Sequence, residues 1–481
     1  MAAFAGLAVA WLLLFLPSLP ELHRRWTIGF SYTHGYLVLG MAVWLGRHVL
    51  QRAGAVQFKP LWSANALLAL GCLAVVAVQA VGIDIAQQMA LPGITWLVIL
   101  SVFGVSLALR LAPAFAFLFF AVPVWDVLVT PLQTLTTNVV GLMLKLNDFP
   151  VLISGYSVRV PAGDFEVAGG CSGLHFIVVG LTIAVFYGMT EMRSLRGRLL
   201  ALGVALGLAF LTNWVRVYTL IVVGQMSDMQ HYLITTDHYF FGWVLFGIAM
   251  FVFFVVVRRL EPAPPNDRRP LTTSSDPVLG GAALTTGVVM VVPALLLALV
   301  QSGAPDGDYV VNPQLPSDWQ VTREPQASWR PIQSSNAVVA EGYAESETAT
   351  LDWYIAWYPS QENNLELMAW GNRPHAESHQ VAWVEDGDLY RLAEIRSPYG
   401  VRRLIAWRQS VAGQRVRSRV EAKLGQLRGM LTGDYSALFV AVSRTCVESC
   451  LEEQDRFDAA ATAYFELLRV DIGEEGDDDE S

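Results

Sequence analysis

The sequence predicts a polytopic α-helical membrane domain of about eight to nine transmembrane helices, followed by a soluble α+β domain. Hydrophobic residues make up 54% of the 481 positions and charged residues 15%, a balance typical of a membrane protein rather than a soluble enzyme. The mean hydropathy of +0.42 agrees with this. Beyond about residue 302 no apolar run is long enough to cross a bilayer, which predicts a soluble domain there.

Apolar runs of about 20 residues are long enough for membrane helices, and the chain contains several of them. The candidate spans are residues 3–20, 29–46, 61–82, 91–109, 112–130, 173–190, 199–222, 239–257 and 279–301. The first run lacks the basic start and the small-residue cleavage site of a secretory signal peptide. We therefore interpret it as a span.

Loop charges predict the orientation, because Lys and Arg accumulate on the cytoplasmic side. One set of loops carries the basic residues Arg47, Arg52, Lys59, Arg110, Arg193, Arg196, Arg198, Arg258, Arg259, Arg268 and Arg269. The alternate loops, which carry Asp84, Asp126, Asp148, Asp164, Asp228 and Asp237, are then expected to face the periplasm. Lys145 and Arg159, in the predicted outer loop, reduce the difference in basic charge between the two sets of loops. His23, Arg24 and Arg25 oppose it, so a re-entrant or interfacial first segment is the alternative.

The spans and loops divide the chain into four predicted parts. These are a membrane domain over residues 1–260, a cytoplasmic linker over 261–278, a connecting transmembrane helix over 279–301, and a periplasmic domain over 302–481 with an acidic tail. Strand-like patterns at Thr350–Trp357 and Val401–Arg408, with helical patterning over 434–470, predict an α+β fold for the last part. Its aromatic residues form either a surface on which a sugar or peptide stacks, or a core, which is the more usual place for aromatic residues of strands. They are Trp353, Tyr354, Trp357, Tyr358, Trp370 and Trp383.

Cysteine spacing and charge exclude some classes of function. Cys72 lies in an apolar run and is expected in the core. Cys446 and Cys450 stand without further Cys or nearby His, which argues against a zinc site. On a regular helix their α-carbons would be about 6 Å apart, so they could form a disulfide outside the cytoplasm. No metal or cofactor is predicted, and the basic surface of a nucleic-acid-binding protein is absent from the sequence.

Three residues from different spans are the candidate catalytic group. Cys171 lies in a glycine-rich turn before an apolar span, where a helix dipole favours the thiolate; the alternative is a buried structural thiol. Arg216 lies inside the 199–222 span, where an arginine is a candidate functional residue. The alternatives are that its side chain reaches the outer interface or anchors a loop. His238 begins the next span and is otherwise an interfacial residue. At one depth, the three supply a nucleophile, an oxyanion-stabilising cation and a proton carrier.

Four further residues are candidate accessories. His175 follows Cys171 by four residues, one helical turn deeper on the same face if both are helical, and competes for the role of base. Asn213 and Asp237 are candidate orienting groups. His34 is expected to face the outer side, where it either lines the site or anchors the interface.

The membrane domain resembles the exosortase family over residues of about 20–260. The resemblance is carried by Cys171-Ser172-Gly173-Leu174, by Asn213-Trp214-Val215-Arg216, by His238 with Gly242-Trp243, and by the segments Ser31–Gly35 and Pro161–Val167. Residues 302–481 resemble the partner domain that is fused to or encoded beside such proteins, through Tyr358-Pro359-Ser360-Gln361, Glu366-Leu367 and Trp370.

The resemblance implies a membrane cysteine protease or transpeptidase of the bacterial inner membrane. Its expected partners are membrane-anchored proteins with a C-terminal Pro-Glu-Pro type sorting signal, and exopolysaccharide assembly proteins. Cys171 would hold the product as a thioester, while Arg216 and His238 stabilise the transition state and transfer protons. Many relatives have Arg at the position of His175, which leaves the role of His175 open.

Three other functions are compatible with the sequence. A transporter or flippase for a lipid-linked sugar would use Arg216 to bind phosphate, and a scaffold for polysaccharide export would need no reaction at all. An intramembrane serine protease is suggested by Gly170-Cys171-Ser172-Gly173, which looks like the G-x-S-G of rhomboid proteases. The neighbouring thiol is the better nucleophile, so this reading ranks lower.

Overall fold

The structure is a computed structural model. It describes residues 2–28, 32–53, 55–235, 238–260, 272–275, 278–301, 309–314, 319–322, 329–333, 337–346, 350–359, 367–368, 372–375, 379–397, 400–434, 436–447 and 449–474. The chain forms two compact units. One contains Met1–Val75 and Ile85–Ala294, and the other contains Val76–Asp84 and Leu295–Ser481. Most of the predicted linker, residues 261–271, lies outside the described residues.

The first unit is helical. The α-helices that lie wholly or mostly in it are α1 (Ala2–Phe15), α2 (Leu19–Thr27), α3 (Gly35–Ala53), α4 (Ala64–Ala80), α5 (Asp84–Phe103), α6 (Val105–Phe117), α7 (Val129–Leu146), α8 (Leu174–Glu191), α9 (Leu195–Met226), α10 (Tyr232–Thr235), α11 (His238–Val257) and α12 (Leu279–Gln301). Strand β1 (Ala55–Phe58) pairs in parallel with β5 (Thr272–Ser275), and β2 (Leu152–Ser154), β3 (Ser157–Val160) and β4 (Gly163–Glu166) form a small antiparallel sheet.

Five of the described helical segments are long and apolar enough to cross a membrane. They are Asp84–Phe103, Pro123–Leu146, Leu174–Glu191, Leu195–Met226 and Phe240–Val257. The α1–α2 pair would make a sixth if it forms one broken span, and Ala64–Gln79, Val105–Ala121 and Leu279–Leu295 are shorter apolar helices. The predicted count of eight to nine spans is therefore not confirmed.

The predicted boundary between spans 91–109 and 112–130 is wrong. The chain breaks at Gly104, which has φ +85°, so that α5 ends at Phe103 and α6 begins at Val105. A Cβ at Gly104 would lie 1.9 Å from the carbonyl oxygen of Lys59. The left-handed backbone and this close approach require glycine.

Helix α7 is absent from the predicted spans, which treat residues after 130 as a loop. Its threonines, with Gln133 and Asn138, lower the hydropathy of the run. They are accommodated inside the helix because the Thr134 and Thr137 hydroxyls donate to carbonyls four residues earlier, at 3.1 and 2.9 Å. The predicted spans therefore missed a helix that is apolar enough to cross a membrane and that packs against α9.

The first predicted span is bent rather than straight. Helices α1 and α2 meet at 72° across a break at residues 16–18. The basic residues of α2 that oppose the charge rule are paired: Arg24 and Arg25 contact Glu21 at 2.7 and 3.0 Å, and Arg25 contacts Asp126 at 3.4 Å. The bend and these ion pairs fit the re-entrant or interfacial alternative.

Helix α9 is the longest described helix of the first unit, with 32 residues. At 1.5 Å per residue it extends about 48 Å, whereas the hydrocarbon core of a bilayer is about 30 Å thick. Its far end packs with α7 and the small sheet around Val140, Leu144, Val158, Val217 and Ile221. Helix α9 is therefore longer than one perpendicular crossing of the hydrocarbon layer requires.

The second unit is rich in β-structure. Its elements are β6 (Tyr309–Gln314), β7 (Gln320–Thr322), β8 (Val338–Glu345), β9 (Thr350–Tyr358), β10 (Gln380–Asp386), β11 (Arg391–Arg396), β12 (Arg402–Val411), β13 (Gln414–Arg415), α13 (Arg419–Thr432), β14 (Ala437–Thr445), α14 (Cys450–Leu467) and β15 (Arg469–Glu474). The main antiparallel sheet has the order β10-β11-β12-β14-β9-β8-β7, with β13 on β12, and β15 pairs with β6.

Both faces of the main sheet are buried. On one face, Trp353 and Ile355 pack with Phe457 and Tyr464 of α14. On the other, Tyr354 and Tyr358 belong to a cluster that includes Trp329, Trp407, Ala422 and Phe439. The aromatic residues of β9 therefore form core, as strands favour, and not a binding surface. Trp357 and Trp383 are partly buried against the first face, while Trp370 lies outside the described residues.

The predicted strands at 350–357 and 401–408 are confirmed by β9 and β12, but the predicted helical pattern over 434–470 is only partly right. Residues 437–445 form the central strand β14, and the helix begins at Cys450. Because both faces of β14 are covered, its sequence is a continuous apolar run that periodicity does not distinguish from a helix.

Cys446 and Cys450 form a disulfide with their α-carbons 5.2 Å apart. The bridge joins the end of β14 to the first residue of α14, rather than two positions of one helix.

Candidate active site

Cys171 ends a single 3₁₀ turn, Gly169–Cys171, that leads from β4 to α8. The Cys171 amide donates to the Ala168 carbonyl at 2.8 Å, and the Ser172 amide donates to the Gly169 carbonyl at 3.2 Å. Gly173 then has φ +89°, and a Cβ there would lie 2.8 Å from Cγ of Asn213. Glycine is needed at residue 173 both for its backbone conformation and for the close approach of α9.

Cys171 and Ser172 have different environments. The Cys171 side chain is half-buried, whereas Ser172 is 2% exposed. The Ser172 hydroxyl accepts a hydrogen bond from the Leu174 amide at 3.3 Å, which satisfies one of the free donors at the start of α8. Ser172 therefore serves the helix terminus, and the thiol is the more accessible of the two nucleophiles.

Asn213 of α9 ties the cysteine turn to its neighbours. Its Nδ2 donates to the Cys171 carbonyl at 3.0 Å and to Oγ1 of Thr136 at 3.2 Å. The Thr136 hydroxyl in turn donates to the Ser172 carbonyl at 3.3 Å. The Asn213 side chain is 1% exposed, so these bonds are shielded from water. Asn213 thus positions the backbone of the turn.

Arg216 lies three residues after Asn213 and therefore on the same side of α9. It is 3% exposed, and its guanidinium carbon lies 5.8 Å from the centre of the Phe176 ring, a cation–π separation. A Cβ at Gly242 would lie 3.0 Å from Arg216 Cδ and Nε, so the first turns of α11 pack directly on the arginine side chain. The buried cation is enclosed by α8, α9 and α11.

His238 is the first residue of α11 and lies one turn before Gly242, on the same helix face. Its backbone position therefore belongs to the face of α11 that packs on Arg216, while its side chain lies outside what the structure describes. Asp237 also lies outside the described residues.

His175 does not have the predicted relation to Cys171. Helix α8 begins at Leu174, and the left-handed Gly173 separates the two residues, so they do not share a helix face. The His175 ring instead packs edge-on against Trp243 with ring centres 4.8 Å apart, and its centre lies 6.2 Å from that of His34.

His34 is buried, at 8% exposed, just before α3. Its Nε2 lies 3.1 Å from the Phe120 carbonyl oxygen, which can only accept, so Nε2 carries the proton. Tyr32 stacks on His34 and donates to Oδ1 of Asp126 at 2.9 Å. Of the two alternatives for His34, a place at the outer interface and a place near the site, its contact with His175 fits the second.

Sequence reasoning missed two residues of this group. Thr136 lies on α7, the helix that the predicted spans left out. Phe176 is one of many apolar residues of α8, and only the position of Arg216 distinguishes it. Within the described residues, no group of three or more His, Cys, Asp or Glu side chains could hold a metal ion.

The small sheet that leads to Cys171 carries an ion pair on its exposed face. Arg159 of β3 contacts Asp164 of β4 at 2.6 Å, and this hydrogen bond lowers the pKa of the Asp164 carboxyl. Since both groups are solvent-exposed, the pair contributes little to stability. It does cancel the positive charge of Arg159 that opposes the predicted orientation.

Comparison with known families gives a match over the part of the chain that contains these residues. Residues 26–255 match the model of the family described as transmembrane exosortase. This range contains Cys171, Asn213, Arg216 and His238, and it ends before α12. The chain matches no curated protein and no solved structure.

Proposed function

We propose that the chain is a cysteine transpeptidase of the bacterial inner membrane, because its membrane region, residues 26–255, matches the model of the transmembrane exosortase family. Its substrates are exported, membrane-anchored proteins with a C-terminal Pro-Glu-Pro type sorting signal. The active site and the C-terminal domain lie on the periplasmic side. The acyl acceptor belongs to exopolysaccharide or surface assembly.

The observation that carries the proposal is the hydrogen bond from Asn213 to the Cys171 carbonyl, with Arg216 on the same side of the same helix. This bond fixes the half-buried thiol turn against the helix that holds the buried cation. A buried arginine is costly in a membrane helix unless it serves a function or a partner. A fixed cation beside a nucleophile is what acyl transfer uses to stabilise an oxyanion.

The reaction begins when the Cys171 thiolate attacks the carbonyl carbon of the scissile peptide bond. Arg216 stabilises the negative charge that develops on the carbonyl oxygen. The carbon–nitrogen bond breaks as the imidazolium of His238 gives a proton to the departing amine, which leaves a thioester on Cys171. Arginine remains protonated and is a poor acid, so proton transfer is assigned to His238.

The second half returns the enzyme to its starting state. An acceptor amine or water attacks the thioester carbon, and neutral His238 takes the proton of the attacking group. The carbon–sulfur bond then breaks and releases the thiolate. A sorting signal presents its cleavage site just outside its own membrane helix, so catalytic groups are needed at that depth.

Two further features support the periplasmic side. The disulfide between Cys446 and Cys450 is of a kind that persists in oxidising compartments such as the periplasm. The end of α9 that carries Asn213 and Arg216 lies opposite its basic start at Arg196 and Arg198, and basic residues favour the cytoplasm.

Co-expression with a protein that bears the tripartite tail tests the proposal, with tail shortening and the covalent adduct followed by mass. Cys171→Ala should abolish both. Arg216→Gln should slow shortening by about 10²–10³-fold, as loss of an oxyanion donor does, and His238→Gln by about 10²–10⁴-fold, as loss of a general acid does. Cys72→Ala is the matched control, because this thiol is fully buried in α4.

Two results would contradict the proposal. Shortening that survives Cys171→Ala but is lost in Ser172→Ala would indicate a serine protease. Normal surface export with Cys171→Ala would indicate a transporter or a scaffold. Deletion of residues 303–481 separates these readings further, since some cleavage should survive if the membrane domain is the enzyme.

A further inference from the structure

Helix α13 of the second unit has a buried face that packs on the main sheet. Ala422 is buried there, and Gly425 and Gly429 lie close to Val411 and Ala412 at the end of β12. Two glycines on this face let the helix backbone approach the sheet closely. The opposite face of a helix at the surface of a soluble domain is normally polar. On α13 it is not.

The outer face of α13 carries a stripe of apolar side chains, Val420, Leu424 and Leu427. They are 69%, 60% and 36% exposed. At about 100° per residue these positions fall within a sector of about 60°, so they form one line along the helix. Exposed apolar residues are ordinary when they are scattered, whereas a continuous line of them marks an interaction surface.

Basic residues border the stripe. Residues 417–432 contain four basic side chains and the single acidic residue Glu421, a net charge of +3 in a chain whose net charge is −10. Lys423 lies on one side of the stripe and Arg428 on the other, each within about 90° of its centre. An apolar line between cations is complementary to a surface with an apolar interior and anionic groups at its edge, as a bilayer of anionic lipids has.

The contacts of Lys423 show what lies beside the stripe. Its Nζ donates to the Val81 carbonyl and, at 3.5 Å, to the Gly82 carbonyl. Both carbonyls follow directly after the end of α4 at Ala80, where a cation complements the helix dipole. Residues Val76–Asp84 belong to the second unit, so this contact is internal to the unit.

Helix α4 ends at this contact and is itself apolar. Its sequence has no charged residue, and Leu67, Leu70 and Leu73 are about half-exposed or more. In a chain with several helices long and apolar enough to cross a membrane, such a surface contacts lipid. The end of α4 therefore marks the level at which hydrocarbon gives way to the polar interface, and Lys423 holds α13 at that level.

We propose that α13 is an interfacial membrane helix. Its stripe enters the boundary between lipid headgroups and acyl chains, on the side of the membrane where α4 ends, and its basic side chains contact lipid phosphates. The ligand is the anionic lipid surface of the bilayer that the chain itself spans. This contact attaches the second unit to the membrane by a surface of its own, separate from the connecting helix α12. The inference is independent of the proposed reaction.

The experiment measures the depth of a fluorescent label on the full-length chain in vesicles of phosphatidylcholine and phosphatidylglycerol. The label is attached to Leu424→Cys, or to Val384→Cys on the exposed strand β10 as the matched control, both in a Cys171→Ala background. Cys72 is buried and Cys446–Cys450 is a disulfide, so the introduced cysteine takes the label.

A nitroxide on the lipid acyl chain should quench the label at residue 424 about threefold more than at residue 384, since an interfacial helix lies about 5–10 Å deep in the headgroup–acyl boundary. Aqueous iodide should show the reverse order. Val420→Ser with Leu427→Ser should reduce lipid quenching at residue 424 at least about twofold, because buried apolar area drives interfacial binding. Val381→Ser with Val384→Ser removes two exposed apolar side chains from β10 and should leave it unchanged.

Equal access of iodide to the labels at residues 424 and 384 would overturn the proposal, since the stripe would then lie in water. Protection of residue 424 from both quenchers would also overturn it, because a protein surface, such as a second copy of the chain, would then cover the stripe. If Leu424→Cys does not accumulate, Val420→Cys on the same stripe takes its place. The measurement needs no substrate, so its outcome is separate from that of the cleavage assay.

Discussion

The fit of Gly173 beneath Asn213 can be tested by a matched pair of glycine substitutions. Gly173→Ala introduces two costs: a left-handed conformation at φ +89°, and a Cβ only 2.8 Å from Cγ of Asn213. Gly155→Ala introduces only the first, since Gly155 has φ +59° with open space where its Cβ would lie. The left-handed strain of about 1–2 kcal/mol is common to both variants.

The difference between the two variants therefore isolates the clash. Overpacking of a fixed site costs about 1–3 kcal/mol. The side chain that must yield is Asn213, whose hydrogen bond holds the Cys171 carbonyl. If the distortion falls on the cysteine turn, the rate of adduct formation should be about 5- to 150-fold lower for Gly173→Ala than for Gly155→Ala.

The assay is single-turnover formation of the covalent adduct with excess substrate, with the melting temperature measured for both variants. Rates that agree within about threefold would refute the reasoning. The close approach of α9 to Gly173 would then not affect the rate at which Cys171 forms the adduct.

Three further predictions follow from contacts in the two units. Asn213→Leu should slow adduct formation by about 10- to 100-fold, because it removes two buried hydrogen bonds worth about 1 kcal/mol each and leaves the Cys171 carbonyl unsatisfied. Asn147→Leu, at an exposed helix end, is the control. Equal effects of the two substitutions would contradict the positioning role of Asn213. Reduction of Cys446–Cys450 should lower the stability of the second unit by about 2 kcal/mol, as expected for a short closed loop, and ready maleimide labelling without reductant would show that the bridge is absent. The pKa of Glu394 is lowered by hydrogen bonds from two arginines, so its ionised form stabilises the fold above its ordinary pKa of 4.5 and this contribution is lost as pH falls below it. Amide hydrogen exchange of the sheet, measured from pH 6 to 3, should show this loss of stability, about 1 kcal/mol for partly exposed partners. Glu394→Gln should remove this dependence of stability on pH. The same dependence on pH in the variant and the wild type would contradict the prediction.

Much of the architecture could be predicted from local pattern. The glycines around Cys171 predict a tight turn, and the structure has one, with the apolar helix α8 directly after it. The strand-like pattern at 350–357 predicts a strand, and the structure has β9 there. In each case the residues of a short segment are enough to predict its local structure.

The remainder depends on partners that are distant in sequence. The predicted spans end at residue 130 and omit α7, whose threonines are accommodated by hydrogen bonds within the helix and to the Ser172 carbonyl. The strand β14 reads as a helix until both of its faces are covered. The relation of His175 to Cys171 fails because the chain turns left-handed at Gly173, a change that residue spacing does not reveal.

The length of α9 fixes the distance between its basic start and Arg216. Arg216 lies about 20 residues from the start of this helix, which is about 30 Å along its axis. That interval equals the thickness of an average bilayer core. On the proposed orientation, in which the arginine-rich start faces the cytoplasm, the number of residues between that start and Arg216 would set the depth at which a substrate is cut. Adding or removing one turn below Asn213, or growing the cells with shorter lipids, should therefore change where along its tail a substrate is cut.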